Sequence, residues 1–151
     1  DIVYVVEGSD AMGDTNFARV KEWIKKAASD SLVSPQKQRV SVVQFSDSPR
    51  QEIQFGQYKD IDSLSSAIDA LAFVGGGSKV GAAISSIMDT TFSVRNGART
   101  NAPRVAVFIL ASSSEDAISS AARSAQTAGI LMYAFSVGNF TNKTQLEDIA
   151  S

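Results

Sequence analysis

The segment Gly8–Thr15 has residue types and spacing that approach those of a phosphate-binding loop. It follows an apolar run, precedes a segment of helical periodicity, and satisfies the spacing G-x-x-x-x-G. Thr15 lies where such loops carry Ser or Thr, but Asp14 takes the position of the lysine that contacts the phosphates. A carboxylate there would repel a polyphosphate, which argues against nucleotide binding. Gly75–Gly77 fits neither this spacing nor a dinucleotide fingerprint, and it predicts a tight turn with positive φ at a helix start.

The absence of two residue types excludes whole classes of chemistry. The 151-residue chain has no His, so it has no Ser-His-Asp triad and no imidazole metal ligand. It has no Cys, so thiolate nucleophiles, thiolate zinc sites and disulfides are absent. The formal net charge of −2 does not favour nucleic acid, and no apolar run approaches the roughly 20 residues of a membrane span. We therefore expect no nucleic-acid partner and no membrane insertion. Since the sequence also offers no convincing arrangement of a base and a nucleophile, we expect no enzymatic activity, no cofactor and no small-molecule substrate.

Two N-glycosylation sequons follow one another directly, Asn139-Phe140-Thr141 and Asn142-Lys143-Thr144. A tandem pair in a polar loop after a predicted strand fits an exposed surface of a secreted protein. The alternative is a capping role, in which Asn142 or Thr144 begins the last helix and Thr144 forms a capping box with Glu147. Glycosylation and capping do not exclude each other, and both stay open from the sequence.

Five apolar runs predict the strands that position these segments. Four are continuous and rich in β-branched and aromatic residues, as in strands that are buried on both faces of a parallel sheet: Ile2–Val6, Val40–Phe45, Val105–Leu110 and Ile130–Phe135. The fifth, Glu52–Phe55, alternates and follows a short turn at Ser48-Pro49, which predicts an antiparallel partner at the sheet edge.

Stripes of helical periodicity lie between the strands. They comprise Phe17, Val20, Ile24 and Ala27; Leu64, Ile68 and Leu71; Ile84, Ile87 and Met88; and Ile118, Ala121, Ala122 and Ala125. The alternation predicts a doubly wound α/β fold with a mostly parallel central sheet, one antiparallel edge strand and helices on both faces. Such folds bind ligands at the carboxyl ends of strands where the strand order reverses, here after Val6, after Leu110 and in the glycine-rich loop. We interpret Trp23, beside the first stripe, as a core or shoulder residue.

Several segments together resemble von Willebrand factor A domains, in order and over the whole chain. They are Asp1–Met12 (the family's opening strand and metal loop), Gly75–Ile84 (its G-G-G-T-x-T-G-x-A-L), Val107–Ser112 (its strand ending in T-D-G), and Ala134–Asn139 and Leu146–Ser151 (its V-G-N and L-x-x-I-A-S). The stretch Gly97–Arg104 most resembles the A domains of collagen VI, of the alpha-3 type. The resemblance implies a Rossmann-like fold in one domain over residues 1–151. We expect this domain to lack the family's last strand and helix, which would follow Ser151.

The resemblance also implies a metal site from which this sequence departs. The family binds Mg²⁺ or Mn²⁺ through five side chains, whose positions here are Glu7, Ser9, Ala11, Ser78 and Ala111. The two alanines supply no oxygen. The extra methylene of Glu7 misplaces its carboxylate for Mg²⁺, which requires near-octahedral oxygens at about 2.0–2.1 Å. We therefore expect a degenerate site that holds no metal.

For function, the resemblance implies a secreted, non-enzymatic module of the extracellular matrix. It would mediate protein contacts or assembly of the collagen VI microfibril type without a metal. Its expected partners are matrix proteins or other domains of the same chain or assembly, and candidate partner contacts are Arg95, Arg99 and Arg104. The alternative is a metal-dependent adhesion domain that binds an acidic ligand. A third hypothesis, a nucleotide-using enzyme, is disfavoured by Asp14.

Overall fold

The computed structural model of the chain describes residues 1–151 and has a single five-stranded sheet. The strands are β1 (Ile2–Glu7), β2 (Val40–Phe45), β3 (Pro49–Ile53), β4 (Arg104–Leu110) and β5 (Ile130–Ser136). They lie in the order β3-β2-β1-β4-β5, and only β3 runs antiparallel to its neighbour. The strand order therefore reverses between β1 and β4. This is the predicted doubly wound arrangement, and it brings the carboxyl ends of β1 and β4 to the same edge of the sheet.

Five α-helices cover the two faces of the sheet. They are α1 (Gly13–Ser29), α2 (Ile61–Asp69), α3 (Val80–Ser86), α4 (Ser119–Thr127) and α5 (Lys143–Ile149). A π-helical turn at Ile87–Thr91 continues α3, and a short 3₁₀ turn covers Val94–Asn96. The first two helices lie on one face, and the other three lie on the opposite face. None of these helices is long and apolar enough to span a bilayer.

Each face of the sheet has its own apolar core, which explains the continuous apolar runs. Along β1, Val3 and Val5 point toward α3, α4 and α5, whereas Tyr4 and Val6 point toward α1 and α2. Apolar residues are therefore needed at successive positions of the central strands. The helices contribute the buried members of the predicted stripes: Phe17, Val20, Ile24, Leu64, Ile68, Ile84, Ile87, Ala122 and Ala125.

The antiparallel edge strand lies earlier in the chain than its predicted range of Glu52–Phe55. The turn covers residues 46–48, and β3 already begins at Pro49. Proline is tolerated there because the first residue of an edge strand need not donate a ladder hydrogen bond. Phe55 leaves the sheet and is buried against Phe92, with ring centroids 5.3 Å apart. The apolar alternation thus continues past the strand because of this tertiary contact.

The outer edge of the sheet, at β5, is largely uncovered. Leu131, Tyr133 and Phe135 project from one face of β5 and are 45%, 46% and 47% exposed. Trp23 of α1 packs beside them as a shoulder residue, 44% exposed, with its ring 5.7 Å from that of Phe135. We refer to these four side chains as the β5 strip.

Candidate functional site

The loops that follow β1 and β4 and the glycine-rich loop before α3 meet at the carboxyl edge of the sheet. This is the place that the strand order predicts for a ligand site. They enclose a shallow cleft of about 270 Å³. Its lining is almost entirely polar or glycine: Ser9, Ala11, Gly76, Gly77, Ser78, Ser112, Ser113 and Glu115.

Glu7, the last residue of β1, is fully buried beneath this cleft. Its Oε1 accepts hydrogen bonds from Ser78 Oγ at 3.1 Å and from the Ala111 N–H at 3.2 Å. Its Oε2 accepts hydrogen bonds from Ser112 Oγ at 2.7 Å and from Ser9 Oγ. A carboxylate has about four acceptor positions, so these donors fill its capacity. This Glu7 cluster joins the end of β1 to all three loops.

The structure brings together four of the five positions that the family resemblance assigns to a metal. Glu7, Ser9 and Ser78 meet through their side chains, and Ala111 takes part through its backbone N–H. Ala11 makes no hydrogen bond with Glu7 and is exposed at the rim of the cleft. Ser112 is a member of the cluster that the sequence analysis missed. The available signal was a hydroxyl that lies two residues beyond the end of β4.

The glycine-rich loop forms the predicted tight turn, with φ of 81° at Gly75 and 105° at Gly76. Its amide N–H groups already have acceptors. Three of them donate to one carboxylate each: Gly76 to Asp10 at 2.9 Å, Gly77 to Asp47 at 3.0 Å and Ser78 to Glu115 at 3.2 Å. The amides that could face an anionic ligand are therefore satisfied by acidic residues of the protein itself, which gives the rim of the cleft a negative charge.

The loop after β4 also holds the beginning of α3. Asp116 accepts hydrogen bonds from the N–H groups of Gly81 at 2.8 Å and Ala82 at 2.9 Å, and from Ser114 Oγ at 2.6 Å. Burial opposes ionisation of this carboxyl, but the hydrogen bonds outweigh it and hold the pKa of Asp116 below its ordinary value. The Ser114 N–H donates to the buried Gln145 Oε1 at 2.7 Å, which ties the same loop to α5.

The three arginines named as candidate partner contacts lie near the amino ends of the strands, away from the cleft. The Arg99 guanidinium pairs with the fully buried Asp1 carboxylate at 2.7 Å. Arg104 donates a hydrogen bond to the Ala128 carbonyl. Arg95 is exposed, and its side chain makes no hydrogen bond or ion pair within the protein. Of the three, only Arg95 presents a guanidinium that is free to meet a partner.

The two sequon asparagines have different surroundings. Asn139 lies exposed in the turn after β5, and its side chain makes no hydrogen bond. Asn142 caps α5: its Oδ1 accepts from the Gln145 N–H at 3.1 Å, and its Nδ2 donates to Ser113 Oγ at 2.9 Å. Thr144 lies inside the first turn of α5, so the alternative capping box does not form.

Comparisons with known proteins agree with this architecture. Residues 1–151 match the family model described as von Willebrand factor type A domain. Matrilin-1 from Gallus gallus is 34% identical over 151 residues, which are 100% of this chain and 30% of that protein. The collagen alpha-6(VI) chain from Homo sapiens is 33% identical over 151 residues, which cover 99% of this chain and 6% of the collagen chain. The chain thus spans less than a third of the length of either relative.

A solved structure also shares the fold. Proximal thread matrix protein 1 from the mussel byssus, with a zinc occupied MIDAS motif, superposes with a TM-score of 0.93 at 18% identity, covering 100% of this chain and 41% of that one. At this identity the likeness supports the fold alone. The family match, however, extends over every residue, and the identities to matrilin-1 and the collagen chain exceed 30%. The chain therefore belongs to the von Willebrand factor type A domain family.

Proposed function

We propose that this domain is a non-enzymatic module of the extracellular matrix that contacts its protein partner without a bound metal. Its relatives include matrilins and collagens, which supports matrix proteins as partners and a secreted location. The absence of His and Cys supports a binding role over a catalytic one.

The Glu7 cluster is the observation that carries the metal-independent part of this proposal. The family's ion would need oxygens with free lone pairs directed at a common centre, whereas the Glu7 carboxylate already accepts hydrogen bonds from four protein donors. Each hydrogen bond to a charged group contributes about 1.5–3 kcal/mol, so opening the cluster would be costly. Ala11 and Ala111 would supply no side-chain oxygen in return, and no three acidic side chains converge to hold an ion. The residues present do not fit the family's metal.

Titration calorimetry with Mg²⁺ and with Mn²⁺ tests this part. We expect no saturable heat at millimolar ion with the unaltered domain. The triple variant Glu7→Asp, Ala11→Ser, Ala111→Asp should bind Mg²⁺, because it shortens the carboxylate and restores two oxygen ligands.

The matched control is the double variant Ala11→Ser, Ala111→Asp. It adds the same oxygens but keeps Glu7, whose carboxylate still fills the centre, so we expect no binding. Saturable binding to the unaltered domain would overturn the proposal. A folded triple variant that binds no ion would instead show that the assignment of the metal positions is wrong.

Capture of matrix proteins on the immobilised domain tests partner binding, and we expect equal capture with and without EDTA. Arg95→Glu should weaken capture more than Ser9→Ala does. Lys26→Glu, at a side chain 80% exposed on α1, controls for the change in net charge. Arg99 is unsuitable for this comparison, because its loss would remove the guanidinium that pairs with the buried Asp1 carboxylate and leave only the backbone N–H of residue 99 as a donor to it. Loss of capture in EDTA, or Ser9→Ala as the most damaging change, would contradict the proposal.

A more specific form of the proposal is that the domain takes part in the assembly of microfibrils of the collagen VI type. The 33% identity to the collagen alpha-6(VI) chain supports it, and the 34% identity to matrilin-1 supports a matrilin-like module equally well. Capture experiments that offer collagen VI and matrilin-1 separately distinguish the two. Preferential capture of collagen VI would support the collagen VI form of the proposal, and preferential capture of matrilin-1 would contradict it.

A further inference from the structure

We infer that the tandem sequon is glycosylated at Asn139 and not at Asn142. This inference rests on the secreted location in the proposed function, but not on the metal-independent part of it. The two acceptors are identical in the sequon code, so only their surroundings can separate them.

Asn142 is already used by the fold on both sides of its amide. Its oxygen accepts the Gln145 N–H in the first turn of α5 at 3.1 Å, and its nitrogen donates to Ser113 Oγ at 2.9 Å. A glycan is bonded to this same nitrogen and is bulky. It would therefore crowd Ser113, which is the neighbour of Ser112 in the Glu7 cluster. Glycosylation at Asn142 would therefore crowd the loop that completes the candidate site, next to the side chain whose oxygen caps α5.

The Asn139 side chain makes no such hydrogen bonds within the protein. Asn139 occupies the turn after Gly138, which has φ of 69°, and its side chain is exposed without a hydrogen bond. The following Phe140 packs against the core beneath α3, α4 and α5 and so anchors the turn from inside. Thr141, which completes the sequon, is exposed. A glycan on Asn139 therefore leaves the protein without breaking a native contact.

The short distance between the two asparagines favours a single glycan. Three residues span at most about 10–11 Å even when fully extended, so two branched glycans would compete for the same space. Occupation of Asn139 therefore opposes occupation of Asn142.

The test uses the domain secreted from animal cells and a glycosidase that converts each glycosylated Asn into Asp, which peptide mass spectrometry then locates. We expect conversion at Asn139 alone. Thr141→Ala and Thr144→Ala each remove one sequon and keep both asparagines. The first variant should be secreted without a glycan, and the second should retain the full glycan mass. Conversion at Asn142, a glycan retained in Thr141→Ala, or unmodified wild-type protein would each overturn the inference.

A second measurement tests the structural reason on unglycosylated protein made in bacteria. Loss of the α5 cap in Asn142→Ala should lower the midpoint of thermal unfolding by roughly 2–4 °C. Asn139→Ala should leave the midpoint unchanged. Equal shifts of the unfolding midpoint in Asn142→Ala and Asn139→Ala would contradict the proposed difference between the two asparagines. The calorimetric titration of the metal is independent of this result, so failure of one does not imply failure of the other.

Discussion

Burial of a carboxylate is unfavourable unless hydrogen-bond donors replace the water that it loses. Glu7 has no exposed surface, and three serine hydroxyls and one backbone N–H surround it. Aspartate at the same position would end one methylene earlier and would not reach the same set of donors. The length of Glu7 thus lets its carboxylate join three loops, at a position that the family resemblance associates with ion binding.

Removal of one donor from this junction should destabilise the domain. In Ser112→Ala, the Glu7 carboxylate loses a 2.7 Å hydrogen bond and gains no water, because it is fully buried. We expect the free energy of unfolding to fall by about 1.5–3 kcal/mol in urea denaturation. The control is Ser66→Ala, at an exposed serine of α2 whose hydroxyl makes no hydrogen bond, with an expected change within about 0.5 kcal/mol. Similar values for both variants would mean that Ser112 does not stabilise Glu7.

The sequence predicted where this site lies more accurately than which side chains contact one another in it. Glu7, Ser9 and Ser78 were identified because family motifs specify positions along the chain. The motifs do not specify the direction of a side chain, and so Ser112 was missed. Arg99 was interpreted as a candidate partner contact for a similar reason: its pairing with Asp1 joins residues 98 positions apart, and no local pattern reveals it.

Among the elements, α3 relies on a neighbouring loop for the cap at its N-terminus. It has seven α-helical residues, and Lys79 at its beginning provides no side-chain cap. Asp116 supplies the missing acceptor from outside the helix, where its negative charge also interacts favourably with the helix dipole. The stability of α3 is thus coupled to the loop that closes the Glu7 cluster.

Asp116→Ala should lower the free energy of unfolding at pH 7 by about 1 kcal/mol, as expected for a lost cap. The fold lowers the pKa of Asp116. Its contribution is therefore complete above the unfolded pKa of about 3.9 and is lost as the pH falls through the lower folded value. The difference between wild type and variant should be largest near pH 7 and shrink below about pH 4. Urea denaturation at several pH values measures it.

Asp148→Ala is the control for this pH series, because Asp148 is exposed on α5 and its side chain accepts only a 3.4 Å hydrogen bond from the Ser119 hydroxyl. Its substitution should change stability by no more than about 0.5 kcal/mol at any pH. A difference for Asp116→Ala that stays constant down to pH 2 would show that the charge of Asp116 plays no part.

The strand boundaries were predicted with uneven accuracy, and the reason lies in tertiary contacts. The runs for β1, β2, β4 and β5 match the observed strands to within one residue at each end. For β1, β2 and β4 the reason is burial on both faces, which demands continuous apolar residues. The same prediction is wrong for β5, because this strand lies at the sheet edge and leaves the apolar residues of one face half-exposed. The prediction for β3 failed by several residues, because Phe55 belongs to a core contact with Phe92 and not to the sheet. An apolar repeat in the sequence indicates which residues are buried, but it does not distinguish a strand from an adjacent buried loop.

Considered as a whole, the molecule is apolar at one outer edge. β5 pairs only with β4, and the β5 strip places Trp23, Leu131, Tyr133 and Phe135 together on the surface. The N–H of Ser151 donates to the Met132 carbonyl at 2.9 Å, so the chain already lies along this edge at its last residue. The Ser151 backbone thus lies beside β5 and leaves the strip exposed.

Left uncovered, the β5 strip should promote self-association of the 151-residue chain, since unpaired strand edges and clustered apolar side chains attract one another. We expect the mean mass in sedimentation velocity to rise with protein concentration. Phe135→Lys should suppress this rise. Leu32→Lys, at a residue 73% exposed in the loop after α1, should leave it unchanged. Equal suppression by both substitutions would assign the effect to net charge and not to the strip.

The packing of Trp23 also has a spectroscopic consequence. The chain has one tryptophan, and its ring lies 6.2 Å from that of Tyr4 in the sheet and 5.7 Å from that of Phe135 at the edge. An indole in contact with water emits at longer wavelength than one enclosed by apolar groups. A strand, helix or partner that closes over β5 would therefore shift the emission to the blue and shield the ring from dissolved quenchers. The domain thus contains an intrinsic optical reporter of whether its outer edge is covered.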